Sequence, residues 1–335
     1  MIIAILIFAF NIFLLIFPNI ILPAARTGLL LWFNNVLPSL FPFIVASNML
    51  MALGGVKLLG NVIAPIMEFL FKLPKEGGFA LIVGFTSGYP LGAKVVADLH
   101  KDRQLSNNDA QHMLGFCNNA GPLFIVGVVG IGMFQSSQIG YVLWVGHVIA
   151  ALLLGIMLRF LKKPDKNDNG QEVIATNSPQ KINSINTNLE QLPQKSEVSN
   201  KTNIGMVLGE SVKNAMESMT LIGGLIIFFS VVIAIVEAFL EHLQEFSPNG
   251  VMMNGLIAGT IEVTGGLSRL ACSNPSSSNL AIAAFIIAFG GFSIHAQTLH
   301  FTSKTGIRVM PYLFAKIVHG VIAAIITIGI DLLHN

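Results

Sequence analysis

Apolar runs of about twenty residues recur along this chain, and each is long enough to cross the hydrocarbon core of a bilayer as one helix. Their residues do not alternate in polarity, as the strands of a membrane barrel would. Only 11% of the residues are charged, against about a quarter in soluble proteins. The sequence therefore predicts an all-α polytopic membrane protein with about eight transmembrane helices, in residues 3–22, 28–53, 56–72, 111–134, 138–161, 217–240, 278–299 and 311–333.

Two further apolar segments, 77–100 and 253–273, are interrupted by small and polar residues. Arg159 and seven lysines between Lys162 and Lys213 place the segment between the two halves in the cytoplasm, because positive residues favour that side. The remaining basic residues, except Lys57 and Arg269, fit this rule if the first interrupted segment enters and leaves the membrane on the cytoplasmic side, and the second does so from outside. Both segments are therefore predicted to be re-entrant hairpins, with both termini of the chain outside.

Short sequence echoes relate the two halves. LIVG at 81–84 matches LIAG at 256–259, and HVIAALLLGIML at 147–158 matches HGVIAAIITIGI at 319–330. Equivalent hairpins that enter from opposite sides are typical of the inverted repeats of secondary transporters. We therefore expect an inverted repeat.

The chain is predicted to consist of four parts. The segment between the repeats is rich in Asn, Gln, Ser and Lys without apolar periodicity, which predicts a disordered cytoplasmic linker. The run EHLQEFSPN, residues 241–249, contains no lysine or arginine and is expected outside. The N-terminal transmembrane helix, the first repeat, the linker and the second repeat occupy residues 1–27, 28–161, 162–204 and 205–335.

The first hairpin contains TSGYPLG, residues 86–92, in which glycines and a proline turn the chain. In hydrocarbon, non-helical backbone persists only where protein or a water-filled cavity covers it. The helix that resumes would direct its N-terminus, with free N–H groups and a positive dipole end, at a ligand. Lys94 would add a full charge. Alternatively, the small residues only permit close packing, and Lys94 extends to the cytoplasmic surface.

The second hairpin contains GTIEVTGGLSRL, residues 259–270, with the same parts. The glycine pair 265–266 is expected at the turn, and the cation Arg269 shortly after it. Glu262 is a carboxylate in a segment where charge is costly. It is interpreted either as an internal partner of Arg269 or Lys94, or as a protonatable coupling site.

Each hairpin is followed by another interruption. In GFCNNAGPLFIVG, residues 115–127, Pro122 has no N–H, so the Asn118 carbonyl four residues earlier loses its helical partner. In FGGFSIHAQTLHF, residues 289–301, the histidine is either a structural donor or part of a cavity wall. The predicted substrate-binding residues, which would meet near the membrane midplane, are Thr86, Ser87, Lys94, Asn118, Asn119, Glu262, Thr264, Arg269, His295 and Gln297.

Enzyme motifs such as H-E-x-x-H, G-x-S-x-G or a P-loop do not occur in the sequence, and no Cys/His cluster has zinc spacing. The chain also has no basic patch of the kind that binds nucleic acid, beyond the linker. We therefore expect no enzymatic activity, no metal and no cofactor. The expected partners are a small anionic solute and the lipid bilayer. A coupling ion and the oligomeric state do not follow from the sequence.

Four stretches together resemble a known family. GFTSGYPLGAKVVADL at 84–99, NNAGPLFIVGVVGIGMF at 118–134, EVTGGL at 262–267 and FGGFSIHAQ at 289–297 are similar to the YlbJ family of sporulation integral membrane proteins, within the nucleoside-recognition (Gate) superfamily. The resemblance implies a fold like the core of concentrative nucleoside transporters. It further implies a multi-pass protein of the cell or forespore membrane that moves dipicolinic acid during endospore formation.

Dipicolinate is a planar dianion, so two hairpins that each offer a helix N-terminus and a cation would suit its carboxylates. Lys94 and Arg269 would then balance its charge. The alternatives are a non-transporting scaffold for assembly of the spore cortex, which would act through the linker, and a nucleoside-type transporter.

Overall fold

The structure of the protein is a computed structural model that describes residues 2–161, 203–241, 250–272 and 276–334. Within these ranges the chain forms helices and no strands, which confirms the predicted all-α class. The predicted linker, apart from residues 203–204, and residues 242–249 of the loop expected outside lie beyond the described residues.

The first half of the chain forms α1 (Ile2–Ile16), α2 (Pro18–Leu31), α3 (Leu37–Ala52), α4 (Gly55–Ile66), α5 (Gly77–Thr86), α6 (Leu91–Lys101), α7 (Asn107–Cys117) and α8 (Ser137–Leu161). It also contains three π-helical segments, π1 (Trp32–Val36), π2 (Met67–Phe71) and π3 (Leu123–Met133). The second half forms α9 (Ile204–Glu241), α10 (Gly250–Ile261), α11 (Val263–Ala271), α12 (Ser277–Phe289), α13 (Gly291–Thr302) and α14 (Val309–His334).

Several helices are long and apolar enough to cross a bilayer, in agreement with a polytopic membrane protein. In the described part of the chain, four do so by length and composition: Ser137–Leu161, Ile204–Ala238, Ser277–Thr302 and Val309–Leu333. Two bent pairs raise the number to six if each pair is one span: Ile7–Ile16 with Pro18–Asn34, bent by 103°, and Leu40–Ala52 with Gly55–Phe71, bent by 92°.

The bounds of the two bent pairs differ from those of the first three predicted spans. The predicted span 3–22 breaks at Phe17, because Pro18 is favoured at the start of a helix and α2 begins there. The predicted span 28–53 is divided: residues 28–34 belong to the first bent pair, and Leu40–Ala52 forms the second bent pair with Gly55–Phe71. This second pair bends around Gly54, whose φ of 85° is readily adopted only by glycine.

The segment 77–100 forms a helical hairpin, as expected. Its arms are α5 and α6, and the chain turns at residues 87–90. Gly88 has a φ of 88°, and the Tyr89–Pro90 peptide bond is cis. The glycine and proline of TSGYPLG therefore do form the turn.

The second hairpin turns at a different residue from the one predicted. Its arms are α10 and α11, and only Glu262 separates them, in an extended conformation. Gly265 and Gly266 lie inside α11, and Gly266 packs directly against Gly259 of α10. Gly266 thus permits close packing of the arms, while the chain reverses at Glu262, before the glycine pair.

The same order of elements follows each hairpin. A helix broken by irregular backbone comes next, α7 with π3 in the first half and α12 with α13 in the second, and a long helix ends each half, α8 or α14. The echoed histidines His147 and His319, on the two long helices, pack against each other with ring centroids 4.7 Å apart. The weak sequence echoes therefore fall on elements that hold the same place in the order of the two halves, α5 and α10 for the first echo and α8 and α14 for the second.

Candidate functional site

The two hairpin tips and the two broken helices meet around a cavity of about 70 Å³, here called the central cavity. One water molecule needs roughly 10–15 Å³, so the cavity has room for several. Most of its wall is apolar, as in small-molecule sites. The cavity is lined by Leu31, Val36, Leu40, Ser87, Tyr89, Pro90, Gly121, Phe124, Val128, Ile222, Ile226, Glu262, Val263, Thr264, Ser293, Ile294 and Gln297.

Four helices begin at the central cavity. Pro90 precedes α6, Gly121 lies just before π3, Val263 begins α11, and Ser293 lies in the first turn of α13. A helix N-terminus carries free N–H groups and about half a positive charge. No side chain caps α6, π3 or α13. Positive helix ends therefore surround the cavity, although none of its described lining residues is a lysine or arginine.

The N-terminus of α11 is occupied by a carboxylate of the chain itself. Glu262 is 6% exposed, and its two carboxylate oxygens accept hydrogen bonds from the backbone N–H groups of Thr264 at 3.0 Å and Gly265 at 2.7 Å. Such an N-cap stabilises a helix by about 1 kcal/mol. Within the described ranges, Glu262 forms no ion pair with Lys94 or Arg269, its two expected partners.

The predicted cations do not line the central cavity. Lys94 pairs with Asp98, one turn along α6, at 3.0 Å, and it lines a smaller neighbouring cavity. Arg269 pairs with Glu237 of α9 and donates to the carbonyl of Gly265 at 2.7 Å. Each cation thus has a carboxylate partner within the chain, and the positive ends facing the cavity are those of helices.

The other predicted residues divide between the cavity wall and the layer behind it. Thr86 is exposed and donates to the carbonyl of Ile82 in its own helix. Asn118, Asn119 and His295 are buried behind the wall, none more than 2% exposed. The predicted residues that do line the central cavity are Ser87, Glu262, Thr264 and Gln297.

A hydrogen-bonded network lies behind the wall. The Asn118 Nδ2 donates to the hydroxyls of Thr298 and Tyr312, both at 2.9 Å. The Tyr312 hydroxyl lies 3.1 Å from His295 Nδ1. The Asn118 carbonyl, predicted to lose its helical partner, accepts a hydrogen bond from Lys316 Nζ at 2.9 Å. A side chain of α14 therefore satisfies the backbone of the irregular segment 118–122 between α7 and π3, here called the first break; the second break is Gly290, between α12 and α13.

Sequence reasoning missed several residues of this region. Lys316 had a clear signal, because it is the sole charged residue between 311 and 330 and a charge in an apolar run suggests function. Tyr89 stands in the quoted turn, but an aromatic side chain there did not indicate a cavity wall. The residues missed in the wall or behind it are Tyr89, Ser293, Tyr312, Lys316, His147 and His319.

The described residues do not assemble a metal site. No group of three or more His, Cys, Asp or Glu side chains comes together among them. Cys117 is buried and Cys272 is exposed, and both are free thiols.

Comparisons with known proteins place the chain in a family. The nucleoside-recognition family model, Gate, matches residues 33–161, which are almost the whole of the first repeat. The sporulation integral membrane protein YlbJ of Bacillus subtilis (strain 168) is 31% identical over 322 residues, covering 92% of this chain and 77% of the Bacillus protein. The chain belongs to the YlbJ family. As a YlbJ-family protein it is a multi-pass integral membrane protein related to sporulation.

A solved structure shares the fold of this YlbJ-family chain. It is the concentrative nucleoside transporter CNTnw in an inward-facing, substrate-bound state, with a TM-score of 0.52 and 11% sequence identity. The match covers 87% of this chain and 73% of the transporter. The likeness confirms the expected transporter-like fold. These relatives are membrane proteins of sporulation and transport rather than members of enzyme families.

Proposed function

We propose that this protein transports a small anionic solute, dipicolinate, across a membrane of the developing endospore, rather than catalysing a reaction. The observation that carries the proposal is the convergence of four helix N-termini on the central cavity, three of which no side chain caps. Discontinuous helices that direct their N-termini at an anionic substrate are a recurring feature of secondary transporters. Sporulation, the process named for the Bacillus relative, supplies the biological setting.

An anion suits the central cavity better than a neutral solute. Each uncapped N-terminus offers free N–H donors and a partial positive charge to whatever occupies the cavity. Most of the lining is apolar, and charge interactions are stronger beside such low-dielectric walls than in bulk water. A nucleoside, which is neutral, would gain less from this field than a dicarboxylate.

The shape of dipicolinate also fits the composition of the wall. Its ring would lie against apolar side chains such as Phe124 and Ile226, while its carboxylates accept hydrogen bonds from helix ends of both repeats. Hydroxyls of Ser87 and Thr264 flank these helix ends on the two hairpins. In this proposal Asn118, Asn119 and His295 position the wall from behind.

We assign Lys94 and Arg269 supporting roles. The smaller cavity that Lys94 lines shares Leu40, Pro90 and Ile222 with the central cavity, so Lys94 would attract an anion on its way in or out. Arg269 connects α11 to α9 through Glu237 and would hold the second hairpin in place.

Binding to the purified full-length protein tests the proposal. We expect saturable dipicolinate binding that raises the temperature of thermal unfolding, because a ligand of the folded state stabilises it. An excess of uridine or adenosine should not compete. Competition by nucleosides would support the nucleoside-type alternative instead, and absence of dipicolinate binding would contradict the proposal.

Deleting residues 166–199 separates transport from scaffolding. These residues lie outside the described ranges, between α8 and α9, and the described residues that line the central cavity come from other parts of the chain. We expect vesicles containing the deletion variant to accumulate dipicolinate at the wild-type rate. A variant that still transports but fails to support sporulation would assign the linker a separate scaffolding role. Loss of uptake by a correctly folded variant would contradict the separation of linker and cavity.

A further inference from the structure

Lys316 is a wholly buried lysine without a carboxylate partner. It lies on α14 with 0% of its surface exposed, and no ion pair joins it to an acidic residue in the described part of the chain. Its Nζ lies 2.9 Å from the Asn118 carbonyl oxygen and 3.0 Å from His319 Nδ1. An unpaired buried charge is costly, and ionisable residues inside membranes are usually functional.

The described groups that face Lys316 include no carboxylic acid. Its own helix contributes Tyr312 and His319, α7 contributes Cys117, α8 contributes His147, and α13 contributes His295. Helix α12, which packs against α14, has no titratable residue. The 3.0 Å contact between Nζ and Nδ1 needs one hydrogen between the two nitrogens, since one must donate and the other accept. The pair can therefore hold an additional proton but has no carboxylate to neutralise it.

Lys316 is connected to the tip of the first hairpin through three successive residues of the first break. The carbonyl of Asn118 accepts from Lys316, the carbonyl of Asn119 accepts from the Tyr89 N–H, and the Ala120 N–H donates to His147 Nε2 at 3.2 Å. Tyr89 lines the central cavity. The Asn118 carbonyl that Lys316 holds is therefore one residue away from the Asn119 carbonyl that binds the cavity-lining residue Tyr89.

We propose that Lys316 and His319 form an intramembrane proton-binding site that couples proton movement to movement of the solute. The coupling role rests on the proposed transport function. When the site is loaded, Lys316 is an ammonium and makes a charge-assisted hydrogen bond to the Asn118 carbonyl. When it releases its proton to water, one Nζ–H bond breaks, the electron pair stays on Nζ, and the bond to the carbonyl weakens. In this proposal the first break and the neighbouring hairpin tip adopt one arrangement when Lys316 carries its additional proton and another when it does not.

Thermal unfolding of the ligand-free, full-length protein tests the proton site without any solute. We expect the difference in unfolding temperature between wild type and Lys316→Met to change by roughly 3 °C or more between about pH 6 and about pH 9. The difference between Lys316→Arg and Lys316→Met should stay constant, because neither methionine nor arginine titrates in that range. Lys94→Met makes the same change at a lysine that has a carboxylate partner, and its profile should run parallel to wild type.

Parallel pH profiles for wild type and Lys316→Met would overturn the proton site and leave the proposed transport function intact. If the methionine variant does not fold, Lys316→Arg and His319→Gln provide the same comparison with wild type. Vesicle measurements then test the coupling. Wild-type vesicles given dipicolinate should change their internal pH as the solute moves, whereas folded Lys316→Met vesicles should move solute without that change. A pH change of the same size in the variant would contradict the coupling role.

Discussion

Replacing Glu262 by glutamine is expected to strengthen dipicolinate binding by at least tenfold. The Glu262 carboxylate lines the central cavity and occupies the N-terminus of α11, where a carboxylate of the solute would otherwise bind. Two like charges about 5 Å apart repel by about 3 kcal/mol at an effective dielectric constant of about 20, and about 1.4 kcal/mol suffices for a tenfold change. Glutamine keeps one oxygen to accept from the backbone, so much of the cap remains. Equilibrium binding to the purified variant measures the effect.

Gln297 offers the matched control for the charge at Glu262. It lines the same cavity, is 0% exposed and differs from glutamate by a single amide group. Gln297→Glu adds the charge that Glu262→Gln removes, so it should weaken dipicolinate binding by a similar factor. If both variants weaken binding equally, the charge of the solute does not determine its affinity, and an anionic substrate is contradicted.

The Glu262→Gln substitution also distinguishes an anionic solute from a nucleoside. A neutral solute that donates hydroxyl hydrogen bonds would use the Glu262 carboxylate as a charged acceptor, and such bonds are about twice as strong as neutral ones. Glu262→Gln should then weaken binding of that solute. Whether Glu262→Gln raises or lowers the affinity of a solute therefore indicates whether that solute is an anion or a neutral hydroxyl donor.

The fold could be predicted largely because its interruptions are encoded locally. Gly88 at the first turn and Gly290 at the second break have φ values of 88° and 93°, and glycine adopts such values without strain. Pro122 similarly marks the restart of a helix after the first break. The backbone preferences of glycine and proline are local, so both breaks and the first hairpin lie where the sequence predicted them.

The second turn and the roles of the cations depended on contacts that the sequence does not specify. Gly266 faces Gly259 across the hairpin, and a close approach of two helices and a turn both favour glycine. Arg269 finds Glu237 on α9, far away in sequence. Lys94 is different, since Asp98 follows it at i+4, a spacing that favours an ion pair on a helix. That pairing could have been predicted from the sequence.

The burial of Lys316 could not be inferred from its position in an apolar run alone. Long lysine side chains in membrane helices often extend to the interface, and whether one can do so depends on its depth and its neighbours. Here the backbone of the first break supplies a carbonyl partner. Only the packing of α14 against the first break, nearly 200 residues apart, shows that Lys316 is held inside.

Gly92→Val is expected to destabilise the protein strongly. Gly92 on α6 and Gly84 on α5 both face the carbonyl of Cys117, the last residue of α7 before the first break. A Cβ at Gly92 would approach that carbonyl oxygen more closely than real Cβ atoms come, and backbone has little freedom to move away. Overpacking of this kind costs about 3 kcal/mol or more. We expect a fall of several degrees in the unfolding temperature and loss of dipicolinate binding, because Tyr89 and Pro90 of the tip move with this arm.

Gly329→Val is the matched control for the steric part of this effect. Gly329 lies in α14 with nothing within 4 Å of a Cβ built on it, so the same change there alters helix propensity alone, by less than about 1 kcal/mol. Gly266→Val in the second hairpin should behave like Gly92→Val, since its Cβ would meet the backbone of Gly259. If Gly92→Val unfolds at the same temperature as Gly329→Val, the two arms of the first hairpin do not close on Cys117. The geometry that brings the Ser87–Pro90 tip to the central cavity would then be wrong.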